Sequence, residues 1–205
     1  MKRPILIAMD LEGVLIPEVW IAVAERTGIE KLKLTTRDIS DYDELMRGRL
    51  ALLREHKLTL HDIQDVIAGM DPMDGAVDFL WELRGDFEVV ILSDTYYEFA
   101  DPFMAKLGRP TLFCNSLDVD DGGNVTNYRI RMPDGKRHAV MAFRQLNFDV
   151  VATGDSYNDT TMLAEADCGI LFRPSENVKA EFPQYPVAED YLALREHVDA
   201  FRDRR

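Results

Sequence analysis

The chain has 205 residues, 46% apolar and 30% charged, with a formal net charge of −13. Such a composition suits one globular domain, or a domain that carries an insertion. The scattered acids leave no basic footprint for nucleic acid, and no apolar run reaches the length of a transmembrane helix.

Met1-Lys2-Arg3-Pro4 is basic, but the apolar run after it is short and meets Asp10, which is not the pattern of a signal peptide. Cys114 and Cys168 lie far apart and form no CxxC, so they read as packing residues in a reducing compartment. The expected location is the cytoplasm.

Ile5 to Met9 is apolar without polar alternation and too short for a helix. It reads as a strand buried on both faces, as in a parallel sheet. Pro17 and Gly28 bracket a helix, a second is expected from Asp41 to His56, and Thr59-Leu60-His61-Asp62 resembles a capping box that opens a third. On that third helix Ile63, Val66, Ile67 and Met70 share an inner face. From Glu18 to about Met70 no strand pattern appears, so residues 16–71 are expected to form a helical cap. The core would then comprise residues 1–15 and 72–205.

Asp74-Gly75 opens a helix carrying Val77, Leu80, Trp81 and Leu83. A strand from Phe87 ends at Ser93-Asp94, and a helix runs from about Tyr96 to Leu107, stopped by Gly108. Thr111 to Cys114 is a short strand, and Asp120 to Asn124 is a turn between two strand-like runs. Lys136 begins a helix with Val140, Phe143 and Leu146. Val150 to Gly154 is another buried strand, ending at Asp155. A helix from Asp159, a strand from Gly169 to Phe172 and two terminal helices complete the order. Alternation of helix and strand after Asp74 implies an α/β fold with a doubly wound, Rossmann-like parallel sheet and a small all-helical cap inserted after the first strand.

Three apolar strands end in polar clusters: Asp10-Leu11-Glu12, Ser93-Asp94 and Asp155-Ser156-Tyr157-Asn158-Asp159. Parallel strands share a direction, so these clusters meet at one sheet edge, where ligands bind in such folds. Carboxylates gathered at one point repel unless a cation lies among them, and a few hard oxygen ligands suit Mg²⁺. A carboxylate beside Mg²⁺ can act as a nucleophile on phosphorus, with Ser93 and Lys136 as candidates to hold the phosphoryl oxygens. Lys136 stands at a helix start, which already favours anions, and a shared phosphate would account for its place there.

The three clusters, with Lys136 between the second and the third, resemble the four ordered motifs of the haloacid dehalogenase-like hydrolases, and the helical insertion resembles the cap of their phosphoserine phosphatase branch. Within it, Asp10-Leu11-Glu12-Gly13-Val14, Pro17-Glu18-Val19-Trp20, Thr35-Thr36-Arg37-Asp38-Ile39 and the run from Gly154 to Leu163 are most similar to the bifunctional phosphoserine phosphatase/homoserine phosphotransferase type. The resemblance spans essentially the whole chain. It implies a phosphoserine phosphatase working through an aspartyl-phosphate, with transfer of the phosphoryl group to homoserine as a second activity. It implies that Asp10 is the nucleophile and a Mg²⁺ ligand. Glu12 would be the proton donor and acceptor and a ligand through its carbonyl, and Asp155 the third ligand. Ser93 and Lys136 would hold the phosphoryl group, with Asp94 and Asn158 also on the substrate. Asp159 would support the metal site, and Glu18 and Arg49 would recognise the amino-acid end. Two departures stand out: the family usually has Asp at position 12 and a Gly pair at 94–95. Both fit the bifunctional type, in which a hydroxyl other than water accepts the phosphoryl group.

Taken singly, each residue has a plainer reading. Asp10 could mark a strand end, Asp155 to Asp159 an Asx-type helix start, and Ser93 a turn. Glu18 could be a first-turn acid, and Arg49 a side chain lying along an apolar stripe with Leu45, Leu52 and His56, its head in water. Lys106, Lys179 and Arg137 are rivals to Lys136. Two other readings of the whole are a phosphatase of a different small metabolite and a receiver domain phosphorylated on Asp. The expected partners are small molecules, with neither nucleic acid nor a membrane, and a homodimer is compatible with such an enzyme.

Overall fold

The structure is a computed structural model that describes residues 2–35, 38–39 and 41–205. Thr36 and Arg37, within the stretch singled out after Thr35, lie outside the described residues. The seven strands are β1 (Ile5–Met9), β2 (Glu88–Tyr96), β3 (Thr111–Val119), β4 (Val125–Arg129), β5 (Asp149–Gly154), β6 (Cys168–Phe172) and β7 (Val187–Ala188). They form one sheet in the order β4-β3-β2-β1-β5-β6-β7. Every neighbouring pair is parallel except the hairpin β3–β4. From β1 the chain builds outward through β2 and β3, then crosses to the other side for β5. The order therefore reverses between β1 and β5, which is where a ligand crevice forms in doubly wound sheets.

The unbroken apolar run of β1 has a simple cause. Ile5, Ile7 and Met9 enter one buried cluster and Leu6 and Ala8 enter another, on the opposite face. Helices α1 (Val19–Thr27), α2 (Tyr42–Glu55) and α3 (Leu60–Ala68) follow β1 directly, with a short 3₁₀ turn at Glu30–Lys33. Their inward residues Val23, Leu32, Met46, Leu53, Ile63 and Ile67 are at most 1% exposed. They join the same cluster as Ile7 and Met9. At about 1.5–3 kcal/mol per fully buried side chain, this shared cluster anchors the inserted helices to the sheet.

The remaining helices are α4 (Ala76–Asp86), α5 (Tyr97–Lys106), α6 (Gly135–Gln145), α7 (Thr160–Glu165), α8 (Glu176–Glu181) and α9 (Tyr191–Asp203). The expected face of α4 is corrected: Leu80 and Leu83 are buried with Ala76 and Phe79, whereas Val77 and Trp81 point to solvent. Leu146, expected within α6, is its exposed C-cap. Both β2 and β3 run several residues further than their apolar stretches, and the two-residue β7 carried no strand signal. Cys114 is buried and Cys168 half-buried, both as free thiols, and burial pushes Cys114 up to about 12. Among the described residues no helix is long and apolar enough to cross a membrane.

Candidate active site

Asp10 follows the last residue of β1, and its N–H donates to the Thr153 carbonyl of β5 at 3.0 Å. The carboxylate therefore stands at the reversal point of the sheet. It is 4% exposed, and its Oδ1 accepts the N–H of Leu11 at 2.7 Å. Gly13, in the left-handed region at φ 79°, turns the chain immediately afterwards. A Cβ there would lie 2.6 Å from the Asp155 carboxylate, so the turn and the close approach both require glycine.

Lys136 lies in the first turn of α6 and is buried. Its Nζ is 2.7 Å from Asp159 Oδ1, 2.9 Å from Asp10 Oδ1 and 3.3 Å from Asp94 Oδ2. The rivals are elsewhere. Lys106 binds the Ala68 and Met70 carbonyls and Asp71, Lys179 pairs with Glu189, and Arg137 pairs with Asp134 and Glu165.

Asp159 is fully buried. Its Oδ2 accepts the N–H groups of Asp155 and Ser156, each at 3.1 Å. A Cβ on Gly154 would fall 2.2 Å from this carboxylate. Asp159 is thus a post that orients both Lys136 and the loop after β5. Asn158 Nδ2 donates to Asp94 Oδ2 at 2.8 Å, joining the second and last clusters. Ser93 is buried near the end of β2 and its Oγ accepts the Thr95 N–H at 3.2 Å. Ser93, Asp94 and Lys136 line one small cavity together with Asn115 and Arg131.

One oxygen each of Asp10, Asp155 and Asp159 lies within 4.8 Å of the others. Burial, and next the charge of Asp159, raises the Asp10 carboxyl well above the usual carboxylate range. Burial, and next Asp159 and then Glu18, pushes Asp155 up to about 6. The attraction of Lys136 does not offset burial together with the neighbouring acids. This donor set fits a hard divalent cation. Both oxygens of Asp159 are already engaged, which leaves Asp10 and Asp155 as the side chains open to a metal.

On the inserted side, Glu12 Oε2 accepts the N–H of Val19, the first residue of α1, at 3.0 Å. Glu18 occupies the N-cap position rather than the first turn, and its side chain makes no capping bond. Its charge acts on both Arg49 and Asp155. Arg49 corrects the alternative of a head in water. It is 8% exposed and lies in a face with Leu45, Met46, Leu50 and Leu53, while His56 is exposed. Its guanidinium sits 4.6 Å above the Trp20 ring, and Nη2 donates to the Leu34 carbonyl at 2.8 Å. Nε is buried and has no partner among the described residues.

Sequence reasoning missed three side chains here. Asn115 is buried, donates to the Asp94 carbonyl at 3.0 Å and accepts the Arg131 N–H at 3.0 Å. It belongs to another strand of the same parallel set, so the strand-end rule could have found it. Tyr42 and Tyr96 share a hydrogen bond between hydroxyls at 2.8 Å, and no local pattern announces that pair.

An α/β sheet with a buried carboxylate, a buried lysine and an acid cluster at its reversal point is suited to hold a cation and a phosphoryl group together. The family model for haloacid dehalogenase-like hydrolases matches residues 6–167, and the chain belongs to that family, in its phosphoserine phosphatase branch. Phosphoserine phosphatase ThrH from Pseudomonas aeruginosa is 58% identical over 187 residues, covering 91% of each chain. A solved phosphoserine phosphatase in its apo form superposes with a TM-score of 0.76 at 23% identity, covering 97% of this chain and 98% of that one. A phospho-aspartyl intermediate analogue of phosphoserine phosphatase gives a TM-score of 0.75 at 22% identity, covering 97% and 99%. These last two likenesses speak for the fold.

Proposed function

We propose that this enzyme hydrolyses O-phospho-L-serine through a phosphorylated Asp10, with Mg²⁺ as cofactor, and passes the phosphoryl group to L-homoserine when that acceptor is present. The observation that carries the reading is the buried Lys136 ringed by Asp10, Asp94 and Asp159 at the carboxyl edge of the sheet. The names of the relatives support the substrate, and membership in a hydrolase family sets the receiver reading aside.

Asp10 Oδ1 is held by Leu11 and faces Lys136, while Oδ2 accepts no hydrogen bond among the described residues and can meet phosphorus. As the P–O bond to serine breaks, Glu12 gives its proton to the departing oxygen. Its Oε2 is already fixed by Val19, so Oε1 is the atom that carries the proton. Lys136 and the Ser93 hydroxyl hold phosphoryl oxygens as charge moves onto them. Water, or the homoserine hydroxyl, then loses its proton to Glu12 and attacks the aspartyl-phosphate, restoring Asp10. Mg²⁺, held by Asp10, Asp155 and the Glu12 carbonyl, would keep Asp10 ionised and offset phosphoryl charge. Asp159 positions Lys136, Asn158 meets substrate, and Glu18 and Arg49 take the substrate ammonium and carboxylate. In this reading residues 16–71 cap a core of residues 1–15 and 72–205.

The test is one incubation of phosphoserine, Mg²⁺ and homoserine, with free phosphate and phosphohomoserine both measured. Wild type is expected to yield both and Asp10→Asn neither. Equal phosphate release by the two proteins would sink the proposal.

A further inference from the structure

Lys136 has three N–H groups to offer. In the structure three carboxylates already surround them. A phosphoryl group that reaches this ammonium must therefore displace one acid. Asp159 is fixed, because its other oxygen satisfies the N–H groups of Asp155 and Ser156. Asp10 is buried and pinned by the Leu11 N–H. Asp94 differs: its side chain is 47% exposed, and one side-chain bond, from Asn158, holds it. Its backbone is anchored in β2 with the carbonyl on Asn115, so only the carboxylate can turn. The cavity it lines also contains Arg131, whose guanidinium lies 5.4 Å above the Phe113 ring. Arg131 makes no ion pair among the described residues and can receive a displaced carboxylate.

We propose that Asp94 occupies the place of a phosphoryl oxygen on Lys136 and so weakens the hold of the site on free phosphate, the product it must release. The inference rests on the phosphatase reading above. Any phosphoryl group must overcome the same contact and the same repulsion from a nearby carboxylate. An ester offsets that cost with contacts at its other end, as remote binding energy offsets local strain. Inorganic phosphate has no other end, so it binds weakly and leaves readily after turnover.

The experiment is calorimetric titration with inorganic phosphate in the presence of Mg²⁺, on wild type, Asp94→Asn and Arg131→Met. Asn keeps the shape of Asp and can keep the contact with Asn158. Removing the charge is expected to tighten phosphate binding about tenfold, an exposed carboxylate near an ion site being worth roughly that much. The KM for phosphoserine is expected to fall by a similar factor, since the ester meets the same carboxylate. Arg131→Met is expected to weaken phosphate binding, since the carboxylate then has no second cation. Unchanged or weaker phosphate binding by Asp94→Asn overturns the proposal. No weakening in Arg131→Met removes Arg131 as the receiver. Phosphate binding is read without turnover. Failure of wild type to cleave phosphoserine, with Asp94→Asn still tightening phosphate, would count against the proposed function and leave this inference standing.

Discussion

Burial and the charges of Asp159 and Glu18 push the Asp155 carboxyl up to about 6, against 3.8 for a free side chain. An acid raised in the folded state keeps its proton longer folded than unfolded. Its favourable contribution is whole below the unfolded value and is lost as pH rises through about 6. Without added metal, wild type should therefore lose about 1–3 kcal/mol relative to Asp155→Asn between pH 4 and pH 7. Adding Mg²⁺ should stabilise wild type more at pH 7 than at pH 4, because protons compete for the same oxygens. Thermal unfolding of both proteins across that range checks this, and a constant difference between them would contradict it. Asp10 and Asp155 were legible in the sequence because each directly follows a buried apolar strand. The two oxygens of Asp159 were not. Its work as a post for Lys136 and two backbone N–H groups depends on a turn that the sequence does not specify.

At the scale of elements, helix starts show where sequence signals hold. Asp41 accepts the Glu44 N–H at 3.0 Å to cap α2, and Thr59 with Asp62 forms the reciprocal box that opens α3. The start of α1 is different, because its cap arrives from Glu12, seven residues earlier. No local pattern reveals a cap from outside the helix. The Glu12 carboxylate thus holds the first residue of the helix that follows β1. Glu12→Gln keeps a carbonyl that can accept the Val19 N–H, whereas Glu12→Ala leaves that N–H without its partner. Urea unfolding should show Glu12→Ala less stable than Glu12→Gln by about 1 kcal/mol, while both lose most phosphoserine turnover. Equal stability would mean that the bond contributes nothing to the helix. The strands were less legible at their ends. β2 and β3 extend into polar residues because their neighbours continue to offer hydrogen bonds beyond the apolar core. α4 was misphased because Val77 and Trp81 fit an apolar helical face that the sheet does not cover.

For the whole molecule, apolar and polar contacts join the inserted helices to the rest of the fold. Apolar contact supplies part of the join, with the Trp20 ring 5.4 Å from Phe99 in an edge-on arrangement. Polar contacts supply the rest: the Tyr42 hydroxyl of α2 meets that of Tyr96 at 2.8 Å, and the Tyr128 hydroxyl of β4 donates to Asp43 at 2.5 Å. Tyr96 stands three residues beyond Ser93 on β2 and is 1% exposed, so the hydroxyl pair ties α2 to the strand that carries Ser93. Burial raises both phenols, which keeps them neutral and able to share that bond at ordinary pH. Tyr42→Phe would leave the buried Tyr96 hydroxyl without its partner, at a cost of about 1–3 kcal/mol. The cost should fall on α2, because β1 and β5 are held by their own ladder and by both hydrophobic clusters. Hydrogen exchange should therefore quicken in α2 and stay unchanged in β1 and β5. The KM for phosphoserine should rise, since Arg49 rides on α2, while inorganic phosphate should bind as before to groups supplied by the sheet edge and α6. Uniformly faster exchange, or weaker phosphate binding, would show instead that α2 and the phosphoryl site form a single cooperative unit.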